Sequence, residues 1–269
     1  MKKDSPAKRI KINEHHVSYL FQKGDQESIV FVHGFGASKE TFLEVFGIEE
    51  FQSFCMLAID LIGFGDSDKP GNFSYLLNEQ AKVIERAIDL FGFDRFHLVA
   101  HSMGGIIGIE LGEMIPNRLR SFINIEGNIT AEDCTMSKRV AEMGEKRFTQ
   151  EGFQELKHSI SKEAEKTQSK PLEDYLRSLS KATPKSLYRS SISTVHESNH
   201  GNLLMRFAKL PFPKCYIYGE KNRDLFPAES MLRTEEIPLF YVSKSGHSMM
   251  KENPKEFYDL ILRIIQQSS

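Results

Sequence analysis

The sequence predicts an α/β domain in which a mainly parallel sheet is covered by helices on both faces. Short apolar runs alternate with segments of helical spacing through most of the 269 residues, an order typical of parallel sheets. The apolar runs contain few polar residues, as expected of strands that are buried on both faces. The length suits one large domain with room for an inserted segment.

The predicted sheet opens with an antiparallel hairpin over residues 8–22 and continues with buried strands. Five unbroken apolar runs are expected to form the central strands, and a short run near the C-terminus is expected to form the last one. These six runs cover residues 28–32, 54–59, 96–101, 120–125, 214–218 and 238–242.

Helices are expected in the connections between these strands. The last one is clearest, because its apolar residues recur at helical spacing and Pro254 stands at its start, where a missing N–H breaks no hydrogen bond. The predicted helices lie near residues 38–52, 76–91, 103–115, 227–235 and 254–266.

A long polar stretch separates the sixth strand from the seventh. It is rich in Lys, Glu and Ser, and it is too long for a simple connecting loop. Its pattern predicts several amphipathic helices, broken at Gly152, Pro171 and Pro184. The predicted organisation is a core of residues 1–128 and 210–269 with an insertion of residues 129–209.

Ser102 follows an apolar strand and precedes a helix. A sharp turn that lifts a hydroxyl out of a sheet leaves little room two residues before and after it, and Ala100 and Gly104 occupy those two positions. The combination of strand, small-residue turn and helix predicts a nucleophile elbow. A serine that only caps the helix is the alternative interpretation.

Three more motifs stand at strand ends. A His-Gly-x-Gly loop covers residues 33–36, an Asp-x-x-Gly-x-Gly-x-Ser loop covers residues 60–67, and His247 follows the last strand. Together with the elbow, these motifs resemble the α/β-hydrolase family over residues 8–267. The resemblance implies a mostly parallel eight-stranded sheet, with a helical cap inserted at residues 129–209 over the active site.

The resemblance also implies acyl transfer at Ser102. A serine hydroxyl needs a base, a group that orients the base, and donors for the developing oxyanion. His247 is expected to be the base, because an imidazole exchanges its proton near neutral pH. By resemblance, the main-chain N–H groups of Met103 and Phe35 are expected to form the oxyanion hole.

The sequence leaves open which residue is the acid that orients His247. The family most often places Asp three residues after the Gly that ends the seventh strand, but this sequence has Asn222 there. A neutral amide can orient an imidazole but cannot balance the charge of an imidazolium. Glu126, just past the sixth strand, is the preferred candidate, since some relatives carry the acid after that strand. Asp224 and Asn222 are the alternatives.

Other residues near these motifs are interpreted as structural. His33 is expected to hold its loop by hydrogen bonds, and Asp60 is expected to order its loop by accepting main-chain N–H groups. His101 is expected to point away from the neighbouring nucleophile. Gly105, Gly108 and Gly112 recur on one helix face, which favours close helix packing.

The sequence also contains a His-Glu-x-x-His pattern at residues 196–200. On a helix, the two histidines would share a face and could bind zinc. The pattern lies in the polar insertion, and it is not followed by the further glycine and histidine of a His-x-x-Gly-x-x-His continuation. We therefore interpret it as a chance match. We therefore predict neither a metal nor another cofactor.

Composition argues against several other classes of protein. With a net charge of −2 and 40% hydrophobic residues, neither disorder nor nucleic-acid binding is indicated. No apolar run approaches a membrane span, and residues 1–9 are basic without an apolar run behind them, which argues against a secretory signal. Cys55, Cys134 and Cys215 are odd in number and widely spaced, as expected of reduced residues in a cytoplasmic protein.

The leading hypothesis is a serine hydrolase that cleaves an ester-like bond of a small acyl substrate through an acyl-enzyme. Because the fold hosts many reactions, a thioester, an amide or a carbon–carbon bond stays open as the target. A serine at the elbow argues against dehalogenase and epoxide hydrolase chemistry. Two alternatives are a catalytically impaired binding or signalling protein, suggested by Asn222, and an acyltransferase or perhydrolase.

Overall fold

Eight strands form one sheet in the computed structural model, which describes residues 8–267. The strand order is β1-β2-β4-β3-β5-β6-β7-β8. Residues 1–7, on which the secretory-signal prediction mainly rests, and residues 268–269 of the predicted core lie outside the described residues. The strands are β1 Arg9–Ile12, β2 His15–Gln22, β3 Ser28–Val32, β4 Cys55–Ile59, β5 Phe96–His101, β6 Leu119–Ile125, β7 Lys214–Gly219 and β8 Leu239–Val242.

The strand pairing confirms the predicted hairpin and the mainly parallel sheet. β1 pairs antiparallel with β2, β2 pairs antiparallel with β4, and the remaining pairs are parallel. In the centre, Val32 of β3 lies beside both Ile59 of β4 and Ala100 of β5. The carboxyl ends of the parallel strands therefore meet at one edge of the sheet, where α/β proteins bind their ligands.

The α-helices follow the strands in alternation, with one cluster of them between β6 and β7. Short 3₁₀ helices at Lys39–Gly47 and Glu49–Phe51 lie between β3 and β4. The α-helices are α1 Leu77–Leu90, α2 Met103–Met114, α3 Met136–Glu142, α4 Glu145–Arg147, α5 Phe153–Thr167, α6 Lys170–Leu179, α7 Pro184–His200, α8 Leu203–Lys209, α9 Pro227–Thr234, α10 Met249–Glu252 and α11 Pro254–Gln267.

Both faces of the sheet are buried, as the unbroken apolar runs predict. Within β3, Val30 and Val32 belong to one apolar cluster, while Ile29 and Phe31 belong to the cluster on the opposite face. The second cluster also contains Phe257 of α11. Each fully buried aliphatic side chain contributes about 1.5–3 kcal/mol to stability, so the two clusters together hold the sheet as a rigid base for its loops.

The predicted helix over residues 38–52 is wrong in type and in continuity. The segment forms two 3₁₀ helices, and Phe42 interrupts the first with non-helical backbone angles. The Lys39 N–H donates to the Asp60 carboxylate at 2.7 Å. The start of this segment is thus tied to the loop after β4, a long-range contact that local propensity does not encode.

The predicted break at Gly152 is also wrong. A π-helical turn at Phe148–Gly152 runs directly into α5. A Cβ atom on Gly152 would lie 2.8 Å from Met143 Sδ and 2.9 Å from the Phe148 ring. This glycine therefore serves close packing and does not end a helix. Pro171 and Pro184 do lie in the first turns of α6 and α7.

Residues 129–209 contain the helices α3 to α8 and contact the loops around the sheet. Ser186 of α7 donates to the Gly63 carbonyl at 2.9 Å, and the Leu77 N–H donates to Ser193 Oγ at 3.1 Å. We call residues 129–209 the helical segment. Within residues 8–267, no helix has both the length and the apolar character needed to cross a bilayer.

A substitution at Gly108 can test how closely α2 packs on the sheet. A Cβ atom there would lie 2.4 Å from the Phe122 ring of β6. We expect Gly108→Ala to destabilise the protein by about 1–3 kcal/mol, the usual cost of overpacking, although alanine favours helix by about 1 kcal/mol. Urea denaturation measures the change. Gly47→Ala is the control, because its Cβ would meet no atom within 4 Å; equal midpoints for the two variants would contradict the prediction.

Candidate active site

Ser102 stands on a strained turn between β5 and α2. Its backbone angles are φ 54° and ψ −125°, a conformation that costs a non-glycine residue about 1–3 kcal/mol. The Ser102 N–H donates to the Ile125 carbonyl of β6 at 3.0 Å, which holds the turn in place. A Cβ atom on Gly104 would lie 2.8 Å from the carbonyl oxygens of Val32 and His33. The close approach of β3 therefore requires a small residue at position 104, two residues after the serine.

The His-Gly-x-Gly loop lies directly beside the serine. A Cβ atom on Gly34 would come within 2.9 Å of Ser102 Cβ. As expected, His33 holds this loop: its Nδ1 lies 2.9 Å from the Gly34 carbonyl, and its Nε2 accepts the Leu61 N–H at 3.0 Å. Phe35 follows within the same loop and lines the same cavity as Ser102.

Met103 is the first residue of α2. Main-chain N–H groups in the first turn of a helix have no acceptor within the helix, and the helix dipole makes this end attractive to negative charge. The Met103 N–H therefore has no acceptor within α2, and an anion beside Ser102 would be a favourable partner for it.

Glu126 and His247 are in direct contact. Glu126 Oε2 lies 2.7 Å from His247 Nδ1. The Glu126 N–H donates to the Ile217 carbonyl at 3.0 Å, and the Gly219 N–H donates to Glu126 Oε1 at 2.7 Å. With a φ of 40°, the backbone of Glu126 is also in the left-handed region that side chains rarely adopt. The end of β6 thus aims a carboxylate at the loop after β8.

The environment of this pair raises the basicity of His247. The Glu126 side chain is only 6% exposed, whereas that of His247 is 52% exposed. Desolvation lowers the pKa of His247, but the hydrogen bond and charge of Glu126 outweigh it, and the pKa is raised above its ordinary value. An acceptor on Nδ1 also directs the proton to that nitrogen and leaves Nε2 free to accept another.

The other two candidates for the acid are placed differently. Asn222 Nδ2 donates to both carboxylate oxygens of Glu126, at 2.8 and 3.1 Å. Asn222 therefore binds the carboxylate and does not replace it. The Asp224 N–H donates to Glu229 at 2.7 Å, and Asp224 is not among the residues that line the cavity containing Ser102 and His247.

The expectation that His101 points away from the site is wrong, because His101 lines the same cavity as Ser102 and contacts the loop of His247. Its Nε2 lies 2.9 Å from the main-chain carbonyl of His247, and the two rings pack with centroids 4.5 Å apart. Desolvation, followed by the proximity of His247, lowers the pKa of His101 well below its usual value. A neutral His101 ring thus donates to the loop that carries His247. Its position next to the serine was the only available signal in the sequence.

Asp60 orders its loop as expected, and it also holds a buried lysine. It accepts the Asp66 N–H at 2.7 Å and the Lys39 side chain at 2.8 Å. Lys39 also contacts Asp66 at 2.9 Å, and Lys181 of the helical segment reaches the same carboxylate at 2.9 Å. This ion-pair network joins the loop after β3, the loop after β4 and the helical segment.

A cavity of about 670 Å³ opens at Ser102, and Glu126 and His247 also line it. Its walls combine apolar and aromatic side chains from the sheet edge and from the helical segment. Prominent among these are Phe35, Met103, Met136, Leu172, Tyr175 and Phe226. The sequence did not single out Tyr175 or Leu172, because amphipathic helices do not reveal which face covers a site.

The His-Glu-x-x-His pattern lies on α7, where the His196 and His200 rings are 5.3 Å apart. Its glutamate, Glu197, contacts Arg206 at 3.5 Å. Among residues 8–267, no group of three or more His, Cys, Asp or Glu side chains is arranged to hold a metal ion.

Solved structures share this fold over nearly the whole chain. A thermophilic esterase from Thermogutta terrifontis matches with a TM-score of 0.79 and 20% identity, covering 97% of this chain and 99% of that one. A variant of the N-acyl homoserine lactonase AidH, complexed with N-hexanoyl homoserine lactone, matches with a TM-score of 0.80 and 17% identity, covering 98% and 99%. At these identities the likeness concerns the fold.

Curated relatives match a shorter part. The probable lysophospholipase BODYGUARD 1 of Arabidopsis thaliana is 40% identical over 101 residues, which cover 36% of this chain and 22% of that protein. The chain thus spans about a fifth of the length of this relative. The family model described as alpha/beta hydrolase fold, in contrast, matches residues 27–253. The chain belongs to the alpha/beta hydrolase fold family.

Proposed function

We propose that the protein is a serine hydrolase that cleaves an ester-like bond of a small acyl substrate. Ser102 is the nucleophile, His247 is the general base and acid, and Glu126 is the triad acid. The N–H groups of Met103 and Phe35 form the oxyanion hole. The 2.7 Å contact between Glu126 and His247, in the cavity that Ser102 also lines, carries this assignment.

In the first half of the reaction, Ser102 Oγ attacks the substrate carbonyl carbon while His247 Nε2 takes the hydroxyl proton. The two main-chain N–H groups stabilise the negative charge on the carbonyl oxygen. The tetrahedral intermediate collapses, the alcohol leaves with the proton from His247, and the acyl group stays on Ser102. Glu126 balances the imidazolium charge during each transfer.

In the second half, water takes the place of the alcohol. His247 removes a proton from the water as its oxygen attacks the acyl carbon, and the second tetrahedral intermediate forms in the same oxyanion hole. Its collapse returns the proton to Ser102 Oγ and releases the carboxylic acid. The cycle regenerates the enzyme without any cofactor.

The substrate class follows from the cavity and from the relatives. A volume of about 670 Å³ falls in the range of small-molecule sites, and its aromatic and methionine walls favour an apolar acyl group. The esterase and lactonase among the structural neighbours are named for esters and cyclic esters. A short or medium-chain carboxylic ester is therefore the first substrate to test.

We further propose that residues 129–209 act as a cap domain on the core, and that the protein is cytoplasmic.

The binding-protein alternative rested on Asn222. Because Asn222 donates to the Glu126 carboxylate, its amide no longer implies a site without an acid. Acyl transfer to another acceptor remains compatible with the same residues. Product analysis in the presence of competing alcohols or peroxide distinguishes it, since hydrolysis yields the free acid as the dominant product.

Ser102→Ala removes the proposed nucleophile. We expect turnover of short-chain p-nitrophenyl esters to fall by about 10⁶-fold, the scale reported for loss of a triad serine. A fluorophosphonate probe should label the wild type but not the variant, with one probe per chain detected by intact mass. A folded wild type that neither reacts with the probe nor hydrolyses any ester of a broad panel would refute the proposed function.

Glu126→Gln keeps the shape of the side chain but removes its charge. We expect kcat to fall by about 10⁴-fold, as when a triad carboxylate becomes an amide. Asp224→Asn is the matched control, and its kcat should stay within about twofold of the wild type, because Asp224 lies outside the cavity lining. Steady-state kinetics on the same ester measures both. The reverse order of losses would assign the acid to Asp224.

The raised pKa of His247 also predicts the pH profile. Only neutral His247 can accept the serine proton, so kcat/KM falls as the pH drops through its pKa. Because Glu126 raises the pKa of His247 above the ordinary value for histidine, the acidic limb of the wild-type profile should have its midpoint above that of an unperturbed histidine. In Glu126→Gln the raising interaction is lost, and the limb should move to lower pH. A limb that stays in place would show that another group controls it.

A further inference from the structure

Two side chains of helix α6, in the helical segment, contact the loop that carries Phe35. Tyr175 Oη lies 3.1 Å from the Phe35 carbonyl oxygen, and Ser178 Oγ lies 2.8 Å from Ser38 Oγ. Residues three apart share one face of a helix, so these two contacts come from the same side of α6. They hold the loop at two points, on either side of Gly36.

The Tyr175 hydroxyl donates to the Phe35 carbonyl. The same oxygen lies 3.1 Å from Met136 Sδ, but a thioether is a weak acceptor and a peptide carbonyl is a strong one. Desolvation raises the pKa of Tyr175, so the phenol keeps its proton over the range in which His247 acts as a base. The hydroxyl is therefore a fixed donor to this peptide group.

Gly36 allows this close approach. Its φ of 66° lies in the left-handed region, and a Cβ atom there would stand 2.7 Å from Tyr175 Oη and 2.9 Å from Leu179 Cδ1. Any larger residue would push α6 away from the loop. The loop conformation and the position of the helix thus depend on each other.

We propose that Tyr175 is a positioning residue for the oxyanion hole. The Phe35 carbonyl belongs to the peptide between Phe35 and Gly36. The Phe35 N–H belongs instead to the peptide between Gly34 and Phe35, whose carbonyl accepts the Ala37 N–H at 3.2 Å. By fixing the Phe35 carbonyl, the Tyr175 hydroxyl restricts rotation about the φ and ψ angles of Phe35 and so keeps its N–H directed at the oxyanion next to Ser102. This role rests on the proposed hydrolase function. Oxyanion donors act through preorganisation, because they need no reorientation when charge develops. A donor whose peptide can rotate loses part of that advantage.

Tyr175→Phe tests the role by removing only the hydroxyl. We expect kcat to fall by about 10–100-fold, less than the ~10²–10³ loss on removing an oxyanion donor outright, with KM within about twofold. Affinity for a trifluoromethyl ketone, which Ser102 converts to a hemiketal oxyanion, should fall by the same factor as kcat/KM. Affinity for the matching methyl ketone, which stays a neutral ketone, should not change.

Tyr188→Phe is the matched control. Tyr188 lies in the same helical segment but does not line the cavity, so its loss of a hydroxyl should leave kcat and both affinities unchanged. Melting temperatures of the two variants check that they are folded. If Tyr175→Phe fails to fold, Ser178→Ala removes the second contact and should produce a smaller loss with the same selectivity for the fluorinated ketone.

Two results would overturn the role of Tyr175 while leaving the hydrolase intact. One is a folded Tyr175→Phe variant with wild-type kcat. The other is an equal loss of affinity for both ketones, which would indicate that the hydroxyl contacts the substrate in its ground state. Absence of turnover and of probe labelling in the wild type would instead refute the hydrolase assignment, and the role of Tyr175 with it.

Discussion

The hydrogen bond between Glu126 and His247 is the contact on which the site depends, because it joins elements that are distant in sequence. It forms only if the end of β6, the end of β7 and the loop after β8 have a fixed relative position. The Glu126 N–H and carboxylate both bind main-chain groups of β7. The same β6 end accepts the Ser102 N–H through Ile125. Parallel strand register therefore brings Ser102, Glu126 and His247 to one cavity.

Electrostatics explains why an amide at position 222 suits a carboxylate at position 126. A nearly buried carboxylate is costly unless donors surround it, and the Gly219 N–H and the Asn222 amide supply them without adding charge. An aspartate at 222 would instead put a second negative charge within about 3 Å of Glu126, and one of the two groups would be driven to the neutral form. The departure from the usual family pattern and the glutamate after β6 form one consistent arrangement.

Sequence reasoning succeeded where burial or backbone geometry restricts residue type. Strands buried on both faces allow few polar residues, so β3 to β7 could be located closely, and the elbow could be recognised from Ala100 and Gly104. It failed where long-range contacts decide. The 3₁₀ segment after β3 is tied to Asp60, and Gly152 is packed against Met143. For the partner of His247, the sequence favoured Glu126 over Asp224 and Asn222, but the position of the strand ends that brings Glu126 to His247 is set by long-range packing. Tyr175 gave no signal, since any face of α6 could cover the site.

The helical segment contributes to the site in more than one way. Its side chains form part of the cavity wall, while Lys181 joins the ion-pair network of Asp66 and Lys39 and α6 binds the loop of Phe35. Lys39 directly follows Ser38 of that loop. A shift of the segment would thus change the shape of the cavity and the position of the Phe35 loop together. If the proposed hydrolase function and the proposed cap role hold, substrate preference and rate should therefore be coupled, because the same helices contact both parts of the site.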